Sequence, residues 1–168
     1  MVKNIPNKYT QKMLLQTIEE AFRGTFDFFY LPIDFKNKCN VGYAFLNVCE
    51  PRHILPLVAR FDGRRWDKFN SEKVCQISYA RIQGRAALVS HFQNSSLMHE
   101  DKRCRPVLFV TDGPHAGEQE PFPVGPNVRP RQPHLGPGGG PGGSGGGGGG
   151  PPERGGGGSS GSLSRGGA

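Results

Sequence analysis

Gly42-Tyr43-Ala44-Phe45-Leu46-Asn47-Val48 is the stretch whose reading decides the fold. Its residues are aromatic, aliphatic or small, with none of the spacing of a helix. On an extended strand, successive side chains point to opposite sides. Ala44 and Leu46 then share one side, which suits a packed interior. Tyr43 and Phe45 share the other, side by side. An interior role for both rings fails on this parity, because Ala44 and Leu46 already serve the core.

Working outward, Met1-Val2-Lys3-Asn4-Ile5 reads as the end of a first strand, closed by a turn at Pro6-Asn7-Lys8. Thr10 is placed to cap a helix that carries Leu14, Leu15, Ile18 and Phe22 at helical spacing and stops at Gly24. Phe26 to Phe35 reads as a second strand, Lys36 to Asn40 as a polar basic loop, and Val41 to Val48 as the third strand. Pro51 suits a first helical position, and Ile54, Leu57, Val58 and Phe61 form an i, i+3, i+4, i+7 stripe ended by Asp62-Gly63. Pro56 inside that stripe predicts a kink or a late start. Val74 to Ala80 reads as a fourth strand, with Cys75 and Ile77 on one face and Gln76 and Ser78 on the other. The order is βαββαβ, an α+β, ferredoxin-like arrangement with both helices on one face of the sheet.

Composition sets the limits of this domain. Residues 111–168 hold 22 of the 26 Gly and 10 of the 15 Pro, so residues 1–110 form the foldable part. That length suits one hydrophobic core and excludes a multi-domain enzyme. The expected organisation is a βαββαβ domain over 1–84, with its first strand truncated at the N-terminus, and an extension with a third helix over 85–110. A disordered Gly/Pro-rich tail over 111–168 follows. The apolar Leu88, Val89 and Phe92 of the third helix either lie over the open sheet as a lid or pack beside it as an added core; the sequence leaves both open. The tail contains Arg154-Gly-Gly and Arg165-Gly-Gly, too sparse to outweigh a flexible, solubilising role. The chain's formal charge of +7 falls on residues 1–110, which points to a nucleic acid or another anionic partner.

Gly42 to Leu46 fits the core of the octapeptide K/R-G-F/Y-G/A-F-V-x-F/Y, the signature of an RNA-recognition sheet. Rings on an open sheet stack on unpaired bases, which gives Tyr43 and Phe45 that role. Val41 stands where a basic residue is usual; Lys36 and Lys38 in the preceding loop are placed to replace it. Val48 stands where an aromatic is usual. Lys3 shares the side of Tyr43 and Phe45. Lys3 and Arg81 are assigned to phosphates or base edges at the rim, Gln83 to hydrogen bonds just after the fourth strand, and Asn4 to both a turn and RNA contact.

The first 110 residues resemble the C-terminal RNA-recognition motif of the Mei-two-like family, the meiosis-regulating RNA-binding proteins of fungi and plants. The matching stretches are Lys3 to Thr10, Tyr30 to Phe35, Asn37 to Phe45 and Tyr79 to Gly84. Val41 is itself part of that family's pattern. Arg103-Cys104-Arg105-Pro106 and Gly113-Pro114 through Gly117 to Pro123 resemble the plant branch. The resemblance implies single-stranded RNA (mRNA) binding, post-transcriptional regulation in meiosis or development, and longer relatives with further such domains upstream.

Enzyme readings find no support. The five histidines sit in no triad or metal spacing, Cys39, Cys49, Cys75 and Cys104 form no C-x-x-C pair, and no phosphate-cradling loop occurs. No cofactor or metal is expected. No apolar run is long enough to span a membrane and no signal-peptide core is present, so the expected location is nuclear, cytoplasmic or both. The rival reading is a domain that binds a protein partner through its helical face or third helix; the surviving pair of rings favours RNA.

Overall fold

The computed structural model describes residues 1–128. Residues 129–168, the greater part of the expected tail with both Arg-Gly-Gly boxes, lie outside the described residues.

The strands are β1 (Val2–Lys3), β2 (Phe26–Tyr30), β3 (Ile33–Asp34), β4 (Cys39–Asn40), β5 (Tyr43–Val48), β6 (Gln76–Ile77), β7 (Val107–Phe109) and β8 (Gln119–Glu120). The helices are α1 (Gln11–Phe22), α2 (Ile54–Phe61) and α3 (Arg85–Phe92). One antiparallel sheet runs in the order β6-β1-β5-β2-β7-β8, and β3 and β4 form a separate hairpin. The βαββαβ unit supplies β6-β1-β5-β2. Two further strands extend it beyond β2.

Helix α1 starts where its sequence predicts. The Thr10 side chain accepts a hydrogen bond from the Met13 N–H at 3.2 Å, satisfying one of the free donors of the first turn. Leu14, Leu15, Ile18 and Phe22 are buried on one side. The second helix shows the expected late start: Pro51–His53 forms a 3-10 turn, and α2 begins at Ile54. Pro56 then falls in the first turn, where its missing N–H has no intrahelical partner to lose. Leu57 and Phe61 of α2 join α1, Val2, Phe26, Phe29, Ala44 and Phe109 in the main core. Phe109 meets Phe26 edge-on at 5.0 Å. Tyr9 and Trp66 close the bottom of this core at 5.4 Å, with the indole N–H donating to the Asn4 carbonyl at 2.7 Å.

Sequence expectations change at several points; the fourth strand spans only Gln76–Ile77 rather than Val74 to Ala80. The second strand ends at Tyr30 rather than Phe35, because the chain turns at Leu31-Pro32 into the β3–β4 hairpin. That hairpin is closed by Asp34, whose carboxylate accepts from the Lys36 and Asn37 N–H groups at 2.9 and 3.2 Å. The third helix fills only Arg85–Phe92 of the 85–110 extension, and a 3-10 turn follows at Ser96–His99. The ordered chain also continues past Val110. Gln119 and Glu120 pair with Phe109 and Leu108. Gly117, at φ +87°, makes the return turn, and its N–H donates to the Val110 carbonyl at 2.7 Å. Composition misjudges 111–128 because the neighbouring β7 edge supplies the hydrogen bonds and Phe28 supplies the apolar contact that the segment lacks alone.

Candidate nucleic-acid interface

The face of the sheet opposite α1 and α2 holds the predicted rings. Gly42, at φ +96°, launches β5; its N–H donates to the Asn40 side chain at 2.8 Å and its carbonyl accepts from Ile5 at 3.0 Å. That left-handed conformation suits glycine and sets the parity of everything after it. Ala44 is fully buried and Leu46 packs on the main core, so Tyr43 and Phe45 turn to the open face as predicted. Tyr43 is 40% exposed and Phe45 is half-buried. The two rings lie 5.6 Å apart, nearly perpendicular at 79°.

Register sets the rest of the row. Lys3 pairs with Tyr43 on one side and Gln76 on the other. Gln76, Lys3 and Tyr43 therefore form a line across β6, β1 and β5 on the open face. Sequence reasoning left Gln76 out of the site, although alternation against buried Cys75 and partly buried Ile77 already turned it to this face.

The other assigned residues scatter around the platform. Asn4 sits at φ +60°, and its side-chain amide donates to the Val74 carbonyl at 2.9 Å. Its turn role is present, and that bond directs the amide toward the β6 side. Arg81 is exposed in the loop after β6. Gln83 is exposed but folds back, its amide donating to the Ala80 carbonyl at 2.8 Å. Lys38 is exposed on the β3–β4 hairpin at φ +55°. These residues surround the rings rather than converge on one point, which suits an extended ligand.

Half of the open face is not open. Helix α3 lies over β2 and β7. Leu88 is buried in a second core with Phe28, Tyr30 and Leu108, and Val89, Phe92, Leu97 and Phe122 pack against it. Phe92 stacks on Phe28 at 5.8 Å and meets Tyr30 edge-on at 5.2 Å. Burial pushes the Tyr30 hydroxyl up to about 12, with smaller contributions from Tyr43 and Cys104. The start of α3 is tied to β5 by Asn47, which accepts from the Gly84 N–H at 3.2 Å and donates to Asp27 at 2.8 Å. On its other flank Arg85 donates to the Phe109 carbonyl at 2.9 Å and forms an ion pair with Glu120. Of the two placements the sequence left open, Leu88, Val89 and Phe92 take the one over the sheet, on the β2 side. Phe45 sits at the border, paired with Tyr30 and touching the second core.

None of the four cysteines is bonded to another. Burial pushes the Cys75 thiol up to about 12 and the Cys49 thiol up to about 11, which makes both poor nucleophiles. Among the described residues, no cluster of His, Cys, Asp and Glu could hold a metal ion, and no helix is long and apolar enough to cross a membrane.

Residues 1–93 match the family described as RNA recognition motif 2. The chain belongs to this family. It is 68% identical over 131 residues to Protein MEI2-like 4 of Oryza sativa subsp. japonica, a match covering 78% of this chain and 13% of that protein. It is 69% identical over 131 residues to Protein MEI2-like 1 of Arabidopsis thaliana, covering 78% of this chain and 14% of that protein. The chain thus spans about one seventh of the length of these relatives. A solution structure of the N-terminal RNA-binding domain of a hypothetical protein aligns over 52% of this chain and 82% of its own, at 21% identity and a TM-score of 0.41. The family's RNA-recognition-motif fold accounts for β6-β1-β5-β2 with α1 and α2. The match also takes in α3, whereas β7 and β8 lie beyond its end.

Proposed function

We propose that the uncovered half of the sheet binds single-stranded RNA, with bases stacked on Tyr43 and Phe45. One observation carries this reading: two adjacent rings stand on a sheet face whose opposite side already holds a complete core. The family match and the MEI2-like relatives support the same ligand. Lys3 and Gln76, in line with Tyr43, supply a cation and an amide beside the stacked base. Arg81 supplies a further charge at the rim, with Gln83 and Lys38 at its two ends and Asn4 beneath. The process served is post-transcriptional regulation of mRNA in meiosis or development, in the nucleus, the cytoplasm or both, with no cofactor and no catalytic step.

The test is selection of bound RNA from a random pool, followed by titration of the winner. The Tyr43→Ala, Phe45→Ala double variant should lose about 1–3 kcal/mol of binding for each ring while remaining folded by circular dichroism. Duplex RNA should bind poorly, because paired bases offer no free faces. A folded double variant that binds single strands like the parent would remove the sheet as the site.

A protein-binding reading is favoured by a different place. Leu55 and Tyr79, 77% and 82% exposed, border an apolar groove of about 280 Å³ between α2 and the β1–β6 edge. The third helix is less suited to a partner, since Leu88, Val89 and Phe92 are engaged by the sheet.

A further inference from the structure

A cleft of about 850 Å³ opens between the start of α1, the β3–β4 hairpin and a 3-10 turn at Lys102–Cys104. Lys8, Lys12, Lys38, Lys102 and Arg103 line it, and no Asp or Glu does. Arg103 is neutralised by Asp101, which accepts from its Nε and Nη2 at 3.1 and 2.8 Å. The four lysines make no ion pair among the described residues. The first turn of α1 borders the cleft and contains no acidic residue, so the partial positive charge of the helix N-terminus adds to theirs.

The cleft is held open by the fold. Its walls contain Gln11 and Asn40, the buried polar side chains among the described residues. Gln11 accepts from the Leu31 N–H at 3.0 Å and donates to the Arg105 carbonyl at 2.7 Å, tying α1 to the end of β2 and to the C-terminal extension. The Asn40 amide donates to the Pro6 and Tyr9 carbonyls, each at 2.9 Å, tying the hairpin to the β1–α1 turn. Each of these bonds joins segments far apart in sequence, so the lysines are brought together by design of the fold rather than by a charge run.

The cleft also adjoins the ring platform. Asn40 accepts the Gly42 N–H, and the next residue is Tyr43. A strand leaving Tyr43 toward the hairpin therefore meets the lysines next. Lysines are point charges that hold phosphate without reading bases.

We infer that this cleft is a second RNA subsite, which takes the sugar–phosphate backbone flanking the bases stacked on Tyr43 and Phe45. The inference rests on the stacking reading of the sheet. It goes beyond that reading by placing sequence-independent affinity on the α1 side of the domain, contributed by Lys8, Lys12, Lys38 and Lys102.

The experiment compares the full chain with the Lys8→Gln, Lys12→Gln, Lys102→Gln triple variant. Two degenerate single-stranded RNA pools are used, one of about four and one of about twelve nucleotides, titrated by fluorescence anisotropy across salt concentrations. The shorter pool covers the platform; the longer reaches the cleft. The parent should bind the longer pool with the steeper salt dependence. The variant should flatten that slope by roughly 2, at about 0.7 for each phosphate contact, and weaken the longer pool roughly tenfold or more near 0.1 M salt. Binding of the shorter pool should not change. An unchanged slope for the longer pool, or an equal loss for both pools, overturns the cleft. So does a polyglutamate peptide that binds the parent more tightly than the longer pool and is lost in the variant. Failure of the platform is separate: it shows as shorter-pool binding that survives Tyr43→Ala.

Discussion

The two halves of one sheet face have opposite fates. On the β1–β5 side, Tyr43 is 40% exposed and lies in line with Lys3 and Gln76. On the β2–β7 side, Phe28 and Leu108 are 0% and 1% exposed beneath α3. Both halves carry aromatic rings pointing the same way, so ring content alone does not mark a binding surface. What separates them is the company of the rings. Phe28 and Tyr30 face Leu88, Phe92 and Phe122, which exclude water and a base alike. Tyr43 faces solvent beside a cation.

The sharpest contrast should come from truncating one ring in each half. Phe28→Ala leaves a cavity between the sheet and α3, and should lower unfolding free energy by about 3–5 kcal/mol in a denaturant titration. Tyr43→Ala opens no cavity and should change stability by less than about 0.5 kcal/mol, while its cost appears in RNA affinity. Equal stability losses would mean that the two halves are not distinct.

Ending the chain after Val110 probes what holds α3 in place. It removes β8, the Phe122 contact with Phe28 at 6.4 Å and the Arg85–Glu120 ion pair. The expected loss is about 2–4 kcal/mol, from one partly buried aromatic and its ladder hydrogen bonds. Read from composition alone, the same truncation should cost nothing. A thermal melt of the shortened chain decides between the two.

Arg81→Ala tests the uncovered half by charge rather than stacking. It should lower affinity for most RNA sequences and reduce the salt slope by roughly 0.7, with no change in melting temperature. A change confined to one RNA sequence would instead place Arg81 on a base edge.

Alkaline pH offers the finest test. Burial raises the folded-state pKa of Tyr30 from its ordinary value of 10.0 to about 12. The folded state therefore holds its proton in a range where the unfolded state has released it, and stability falls as pH rises from about 10 to about 12. Tyr9, also raised by burial, contributes in the same direction. Tyr30→Phe should make the fall shallower without removing it, as followed by denaturant midpoints between about pH 9 and 11. An unchanged fall would mean that Tyr30 is not sealed under α3.

Much of this domain was legible in the sequence because the information is local. Alternation in Tyr43-Ala44-Phe45-Leu46 assigns faces without knowledge of any partner. Thr10, Gly24 and the Ile54–Phe61 stripe mark helices through rules that span only a few residues. The site rings follow from the same parity. Lys3 joined them by its own strand position, but the register that sets it against Tyr43 required the folded sheet. The tertiary structure decided which rings stay bare. Phe26-Asp27-Phe28-Phe29-Tyr30 is apolar on both faces, a sign that something covers the second face. Yet the bulge between Phe26 and Phe28, which sends those two rings to opposite sides, follows from pairing with β5 and has no local mark. Nor does composition reveal that Gln119, Glu120 and Phe122 order themselves against β7 and Phe28. The Phe28–Phe122 contact brings together residues about ninety positions apart in the chain, and its free energy exists only once the first core has formed to receive it.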